Sequence, residues 1–167
     1  KVTDDLYIGA FVMFGDVELT VHCAAELLKR APEYDYLIAP EAKAIPLLYE
    51  MARQSGAEKY FLARKGPKAY MSGVFEVHVK SITTMDVQRL VIDTTDAALI
   101  KGKRILIVDD VISTGESLHA MEELVTRAGG SIVGRMAVLA EGAAQKRDDI
   151  IVLGDLPLFN PDGTVKA

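Results

Sequence analysis

Two adjacent carboxylates, followed within a few residues by a run of hydroxyls, are the groups in this chain best suited to chemistry. Asp109 and Asp110 precede Ser113-Thr114-Gly115-Glu116-Ser117. A glycine among hydroxyl residues lets backbone N–H groups turn inward, and a helix starting there adds the positive end of its dipole. That combination seats a phosphate. The aspartates would repel the same phosphate, but they can accept hydrogen bonds from vicinal hydroxyls or hold magnesium through water. A phosphate at one end and a diol a few ångströms away describe a ribose 5-phosphate.

The flanking residues supply elements to hold these groups. Ile105-Leu106-Ile107-Val108 is an unalternated apolar run, which suits a strand buried on both faces. Leu118, Met121, Leu124, Val125 and Ala128 recur at helical spacing, and Gly129-Gly130 ends that helix. Upstream, Asp16 is placed to cap a helix carrying Val17, Val21, Ala24, Leu27 and Leu28. A strand over Tyr36-Leu37-Ile38-Ala39 runs into Pro40-Glu41-Ala42-Lys43-Ala44, and a helix bearing Ile45, Leu48, Met51 and Ala52 stops near Gly56. Lys59 to Ala63 gives another strand, with the basic group Arg64, Lys65 and Lys68 directly after it. Ser131 to Leu139 and Ile150 to Leu153 are the last strands. This repeated strand–loop–helix order predicts an α/β domain with a mainly parallel sheet flanked by helices. Its chemical loops then gather beyond the C-terminal strand ends.

Between 69 and 93 the pattern changes. Val74 to Val79 alternates and Gln88 to Ile92 is β-like, so a projecting ribbon is expected, with its tip near Lys80 to Asp86. The apolar stretch before Gly15, with Phe11 and Phe14, reads as a strand pair or a covering hood segment, and the tail after Leu153 is apolar enough to dock.

The 167 residues carry a net charge of −5 with no basic block, which argues against nucleic acid as the main partner. No apolar run approaches the ~20 residues that cross a bilayer. One domain, residues 1–167, accounts for the length. The single cysteine, Cys23, excludes an internal disulfide, fits a reducing compartment and sits among apolar neighbours as a buried small hydrophobe. His22, His78 and His119 share no metal-ligand spacing.

The stretch from Arg104 to Leu118 resembles the phosphoribosyl-pyrophosphate (PRPP) motif of type I phosphoribosyltransferases, and the likeness extends from about Asp16 to Leu153. The resemblance implies that family's fold, with its β-ribbon loop over residues 69–93 mobile and residues 1–15 as a hood. It implies that Asp109 and Asp110 meet the ribose hydroxyls. Ser113, Thr114, Gly115, Glu116 and Ser117 then hold the 5′-phosphate, with the Glu116 side chain turned away. Glu41, Ala42, Lys43, Arg64, Lys65 and Lys68 fall at the family's pyrophosphate positions, though Ala44 stands where a glycine is common. Arg64 lies where the base would be, and Phe11 and Phe14 of the N-terminal segment either stack on the purine or pack into the core. Magnesium arrives with PRPP and water rather than on a direct protein ligand, and a cytoplasmic homodimer is the usual form. The likeness is nearest to the purine branch: residues 63–83 look xanthine-type, the short C-terminal end adenine-type. No counterpart of the glutamate and tyrosine of many adenine enzymes is found among Val77 to Asp86. A nucleoside monophosphate made by purine salvage, with adenine the favoured base, is the implied product.

Other readings compete. A phospho-acceptor receiver domain also ends a strand in two aspartates, but on its first strand and without the Thr-Gly-x-Ser loop. A PRPP-binding regulator of the same fold, a 6-oxopurine enzyme and a non-catalytic interaction module remain to be separated by assay.

Overall fold

The computed structural model describes residue 3, residues 6–80 and residues 87–166. In chain order the elements are β1 (Tyr7–Ile8), α1 (Val17–Leu28), β2 (Tyr36–Pro40), α2 (Ile45–Ser55), β3 (Phe61–Ala63), β4 (Val74–Lys80), β5 (Val87–Asp93), α3 (Thr94–Ile100), β6 (Arg104–Ile112), α4 (Glu116–Arg127), β7 (Ser131–Glu141), β8 (Ile151–Leu156) and β9 (Leu158–Phe159). A short 3-10 turn, Gly142–Lys146, follows β7. Five strands form one parallel sheet in the order β3-β2-β6-β7-β8, as the strand–loop–helix order predicts.

The apolar run in β6 is unalternated because each face of the sheet has its own core. Ile105 and Ile107 point into a cluster with Leu118, Met121 and Leu124 of α4 and with Val77, Leu90 and Ile92 of the ribbon. Leu106 and Val108 point the other way, among Leu27 of α1, Leu48 and Met51 of α2, and Met136 and Val138 of β7. Consecutive strand side chains alternate between faces, so a strand covered on both sides must be apolar at every position.

Helix ends follow local chemistry. The Asp16 carboxylate accepts from the Leu19 N–H at 3.0 Å and starts α1. Gly56 adopts φ 72°, the left-handed conformation that terminates α2 without strain from a side chain.

Several features differ from the sequence expectation, while the docking of the tail follows it. β6 does not stop before the acidic pair but runs through it to Ile112, because β7 continues to pair alongside, Asp109 with Ala137 and Ile112 with Ala140. β3 is shorter than Lys59 to Ala63, starting at Phe61. The helix α3 is absent from the sequence reading; at seven residues it shows no full helical repeat, and its signal is the Asp93 carboxylate accepting from the Thr95 N–H at 3.0 Å. The apolar tail docks as β9, antiparallel to β1, with Tyr7 opposite Phe159. Hood and tail are thus one small two-stranded unit.

The expected ribbon is present: β4 and β5 pair antiparallel from Val74–Asp93 to Lys80–Val87. It is tied to the sheet edge by Arg64 and Val91, whose backbone N–H groups each donate to the other's carbonyl at 2.8 Å. The rest of the expected tip, 81–86, lies outside the described residues. Among the described residues no helix is long and apolar enough to cross a membrane.

Leu106 is fully buried in the central strand. Leu106→Ala should lower unfolding free energy by about 2–5 kcal/mol, read as a lower urea midpoint with unchanged slope.

Candidate active site

In the strand order β3-β2-β6-β7-β8, chain direction around the sheet reverses between β2 and β6. Ligands of open parallel sheets bind at such a switch, beyond the C-terminal strand ends. Here the loop after β2 faces the acidic residues of β6. Lys43 Nζ stands 3.2 Å from Asp110 Oδ2 across the switch. A cavity of about 700 Å³ opens there, walled by Glu41, Ala42, Lys43, Lys65, Asp109, Asp110 and Ser117, with β5 closing one side.

Asp110 is buried, at 4 % exposure. Its Oδ2 lacks a hydrogen bond among the described residues, although it is within ion-pair distance of Lys43. The pair is close but not aligned as a hydrogen bond. The Asp110 N–H donates to Asp109 Oδ1 at 2.9 Å. Burial holds the Asp109 pKa well above the ordinary carboxylate range, and the neighbouring Asp110 charge adds to the rise, while Lys43 opposes it. Burial likewise raises Glu141, at the end of β7, against the pull of Lys43.

The β3 turn is organised by Glu41. Its Oε2 accepts from Arg64 Nη1 and its Oε1 from the Lys65 N–H, both at 2.9 Å. Arg64 Nη2 donates to the Tyr70 hydroxyl at 2.9 Å. Burial pushes the Glu41 pKa up, but the Lys65 N–H and the Arg64 guanidinium outweigh it and bring it below the usual value. The Glu41–Ala42 peptide bond is cis.

After β6 the chain turns through Ser113 and Thr114 to Gly115, which has φ 82° and precedes α4. Its N-cap, Gly115, has no side chain to cap the helix. Glu116 begins the helix, and its N–H lies 3.5 Å from Thr114 Oγ1. A side chain at 115 would be strained by the positive φ, and it would require Arg147, whose Nη1 lies 2.9 Å from where a Cβ would stand, to shift.

The structure therefore gathers Glu41, Ala42, Lys43, Lys65, Asp109, Asp110 and Ser117 around one space. Ser113, Thr114, Gly115 and Glu116 adjoin it through the loop. Arg64 is directed at Glu41 and Tyr70, and Lys68 is exposed but close enough to lower the Glu41 pKa. Neither Phe11 nor Phe14 lines the cavity: Phe11 packs on the α1–α2 core, and Phe14 is half exposed. Sequence reasoning missed Val87, Gln88, Arg89 and Leu90 on the cavity wall, although their β-like pattern marked the strand. Arg89 is held by Glu76, its Nε donating to Glu76 Oε2 at 2.8 Å. It also missed Tyr70 and Arg147, which carry no motif signal.

A parallel α/β sheet with an acid pair at its switch point, a lysine opposite and a hydroxyl–glycine turn into a helix defines a class of domain built to hold a phosphorylated ribose. The chain belongs to the phosphoribosyl transferase domain family, whose match covers residues 20–156. It is 27% identical over 151 residues to the adenine phosphoribosyltransferase of Petrotoga mobilis, covering 88% of this chain and 72% of that one. It is 36% identical over 109 residues to the adenine phosphoribosyltransferase of Thermotoga petrophila, covering 65% of this chain and 60% of the relative. Among solved structures, the adenine phosphoribosyltransferase from Thermoanaerobacter pseudethanolicus superposes with a TM-score of 0.69 at 24% identity, over 84% of this chain and 82% of that one. That likeness shows the fold.

Two outcomes follow. Glu41→Ala should speed hydrogen exchange at the Lys65 N–H, which loses its acceptor, while the protons of the central strand remain protected. The second concerns pH. Because the folded-state pKa of Asp109 is raised, the folded chain keeps a proton that the unfolded chain releases. Stability from this residue is full below the ordinary carboxylate range and falls as pH rises toward the folded-state value. Asp109→Asn removes that loss, so its melting temperature should exceed wild type near neutral pH and converge with it in acid.

Proposed function

We propose that this protein is a purine phosphoribosyltransferase of the salvage type, moving ribose 5-phosphate from PRPP to a purine base, with adenine favoured, and releasing pyrophosphate. The observation that carries the reading is the switch-point geometry: Asp109 and Asp110 share a cavity with Lys43, and β6 turns directly into the hydroxyl–glycine loop. The names of the relatives support the choice of base.

In the reaction the bond from the ribose anomeric carbon to the diphosphate oxygen breaks, and its electron pair leaves with pyrophosphate. A ring nitrogen of the base bonds to the same carbon and gives up its proton. The carbon passes through an oxocarbenium-like state, so positive charge grows on the ring as negative charge grows on the leaving group. Asp109 and Asp110 accept from the ribose hydroxyls and offset the ring charge. Lys43 and Lys65 lie on the cavity wall where the departing diphosphate would sit, and the 113–117 turn holds the 5′-phosphate. The ribbon strand β5, already a cavity wall, would help to exclude water.

Among the described residues no three His, Cys, Asp or Glu side chains converge on a metal position. Magnesium needs no such cluster, because it commonly keeps several waters and binds phosphate oxygens of its ligand. It would arrive with the diphosphate and its waters rather than on a direct protein ligand, and one such water could donate to Asp110 Oδ2, which lacks a hydrogen bond among the described residues. Bound with the diphosphate, the ion would offset leaving-group charge. A homodimer is part of the proposal: Val17 and Tyr49 are exposed apolar side chains beside a shallow groove, a surface that a second copy could cover. The buried free thiol of Cys23 suits the cytoplasm.

The test is product formation with magnesium, PRPP and, separately, adenine, hypoxanthine, guanine, xanthine, orotate and uracil. Turnover of adenine is expected. Asp109→Asn and Asp110→Asn should each lower turnover roughly a hundredfold or more with the fold intact. Turnover of only a 6-oxopurine would reassign the base, and PRPP binding without turnover of any base would make the chain a sensor.

A further inference from the structure

The 5′-phosphate turn lacks a positive side chain of its own. Residues 111–117 contain no lysine or arginine. Backbone N–H groups, hydroxyls and a helix dipole would have to hold a phosphate dianion without a positive side chain from the turn itself. A cation reaches the turn from another part of the chain. Arg147, just past the 3-10 turn that follows β7, places Nη1 2.9 Å from where a Cβ on Gly115 would stand. Its other nitrogens have a different task. Nε donates to Asp149 Oδ1 at 2.8 Å and Nη2 to Asp149 Oδ2 at 2.7 Å.

The fork of Asp149 thus fixes the guanidinium plane from one side and leaves Nη1 as the nitrogen presented to the turn. Arg147 is only 32 % exposed at its side chain, so its charge is partly shielded from water. The carboxylate that holds it is tied back to the helix it serves. Arg135 Nε lies 3.9 Å from Asp149 Oδ2 and donates to Glu122 Oε1 of α4. The network therefore registers the guanidinium against the same helix whose first turn forms the phosphate seat.

We infer that Arg147 is a further 5′-phosphate-binding residue, supplying from outside the motif the positive charge that the 113–117 turn lacks, with Asp149 as the residue that positions it. The inference rests on the phosphoribosyl site proposed above and adds to it a specific ligand. A guanidinium held on one edge and open at Nη1 can give a charge-assisted hydrogen bond to a phosphate oxygen without first being ordered. The arrangement also explains why the glycine at 115 faces a cation: the side-chain position is given over to the guanidinium.

The experiment is calorimetric titration of the full chain with ribose 5-phosphate and, separately, with pyrophosphate, for wild type, Arg147→Ala, Arg147→Lys and Asp149→Asn, with thermal melts to check folding. Arg147→Ala should weaken ribose 5-phosphate binding about tenfold to a hundredfold, the loss of one hydrogen bond to a charged partner, and leave pyrophosphate binding as in wild type. Arg147→Lys should recover part of that loss through a point charge. Asp149→Asn should show a smaller loss in the same direction, and it tests the same idea should Arg147→Ala fail to fold. Ribose 5-phosphate binding unchanged in Arg147→Ala, or an equal loss for both ligands in a folded variant, would overturn the inference. Wild-type chain that binds neither ligand would instead overturn the transferase reading itself.

Discussion

The site depends on one constraint: a carboxylate is kept almost dry within the central strand, at Asp110, and the charge that answers it comes from the loop after the neighbouring strand. Burying an unanswered carboxylate is costly enough that such groups are paired or protonated. Lys43 can answer only if β2 and β6 lie side by side in a register that brings the loop after β2 level with Asp110. The parallel pairing of Tyr36 with Ile105 and Ile38 with Ile107 sets that level. Register in turn rests on the two apolar faces of β6, since a slip of one residue would move every side chain to the wrong core. The chemistry at the end of the strand is therefore anchored by the hydrophobic pattern along it.

Resting charges at this site are mostly answered from within. Lys43 faces Asp110, Arg64 is bonded to Glu41, and Arg89 is bonded to Glu76. Of the cations on the cavity wall, a polyanion entering it meets Lys65 without an ion pair among the described residues, while Lys43 and Arg89 already face carboxylates. For the latter two the polyanion competes with carboxylates, which moderates how tightly a diphosphate is held. An enzyme that must release pyrophosphate gains from that moderation, because binding that is equally strong before and after bond breaking does not speed the chemical step. Glu41 illustrates the distinction between contact and placement. An acidic side chain is a poor direct ligand for pyrophosphate, yet its two oxygens fix the Arg64 side chain and the Lys65 backbone where a ligand would meet them.

Much of this was legible in the sequence because the relevant signals are local. The apolar run, the acidic pair and the hydroxyl–glycine turn are contiguous, and Asp16 and Gly56 mark helix ends by their own chemistry. The loops after β2 and β3 could be assigned to one site because strand-end position is inferable from strand order. What was not legible depends on partners distant in sequence. The extension of β6 through Asp109 and Asp110 is imposed by β7, and the place where the tail docks, as β9, by residues 7 and 8 at the other end of the chain. For Phe11 and Phe14 the sequence left base stacking and core packing both open, and the fold places Phe11 on a core face and leaves Phe14 half exposed. Arg89 and Arg147 reach the site through tertiary contacts that no short motif encodes.

The division between legible and hidden residues follows the physics of the two halves of the ligand. Seating a phosphate on a helix start needs consecutive N–H groups, so its residues must be neighbours in sequence. Supplying countercharge needs only proximity in space, so lysines and arginines can come from any element whose end reaches the switch point. In this chain the candidates come from the loop after β2, the turn after β3, the ribbon strand β5 and the segment after β7. Variation among such domains in base choice or leaving-group affinity can therefore arise at these scattered positions while the contiguous motif stays fixed, and the dispersed cations are where sequence and structure must be read together.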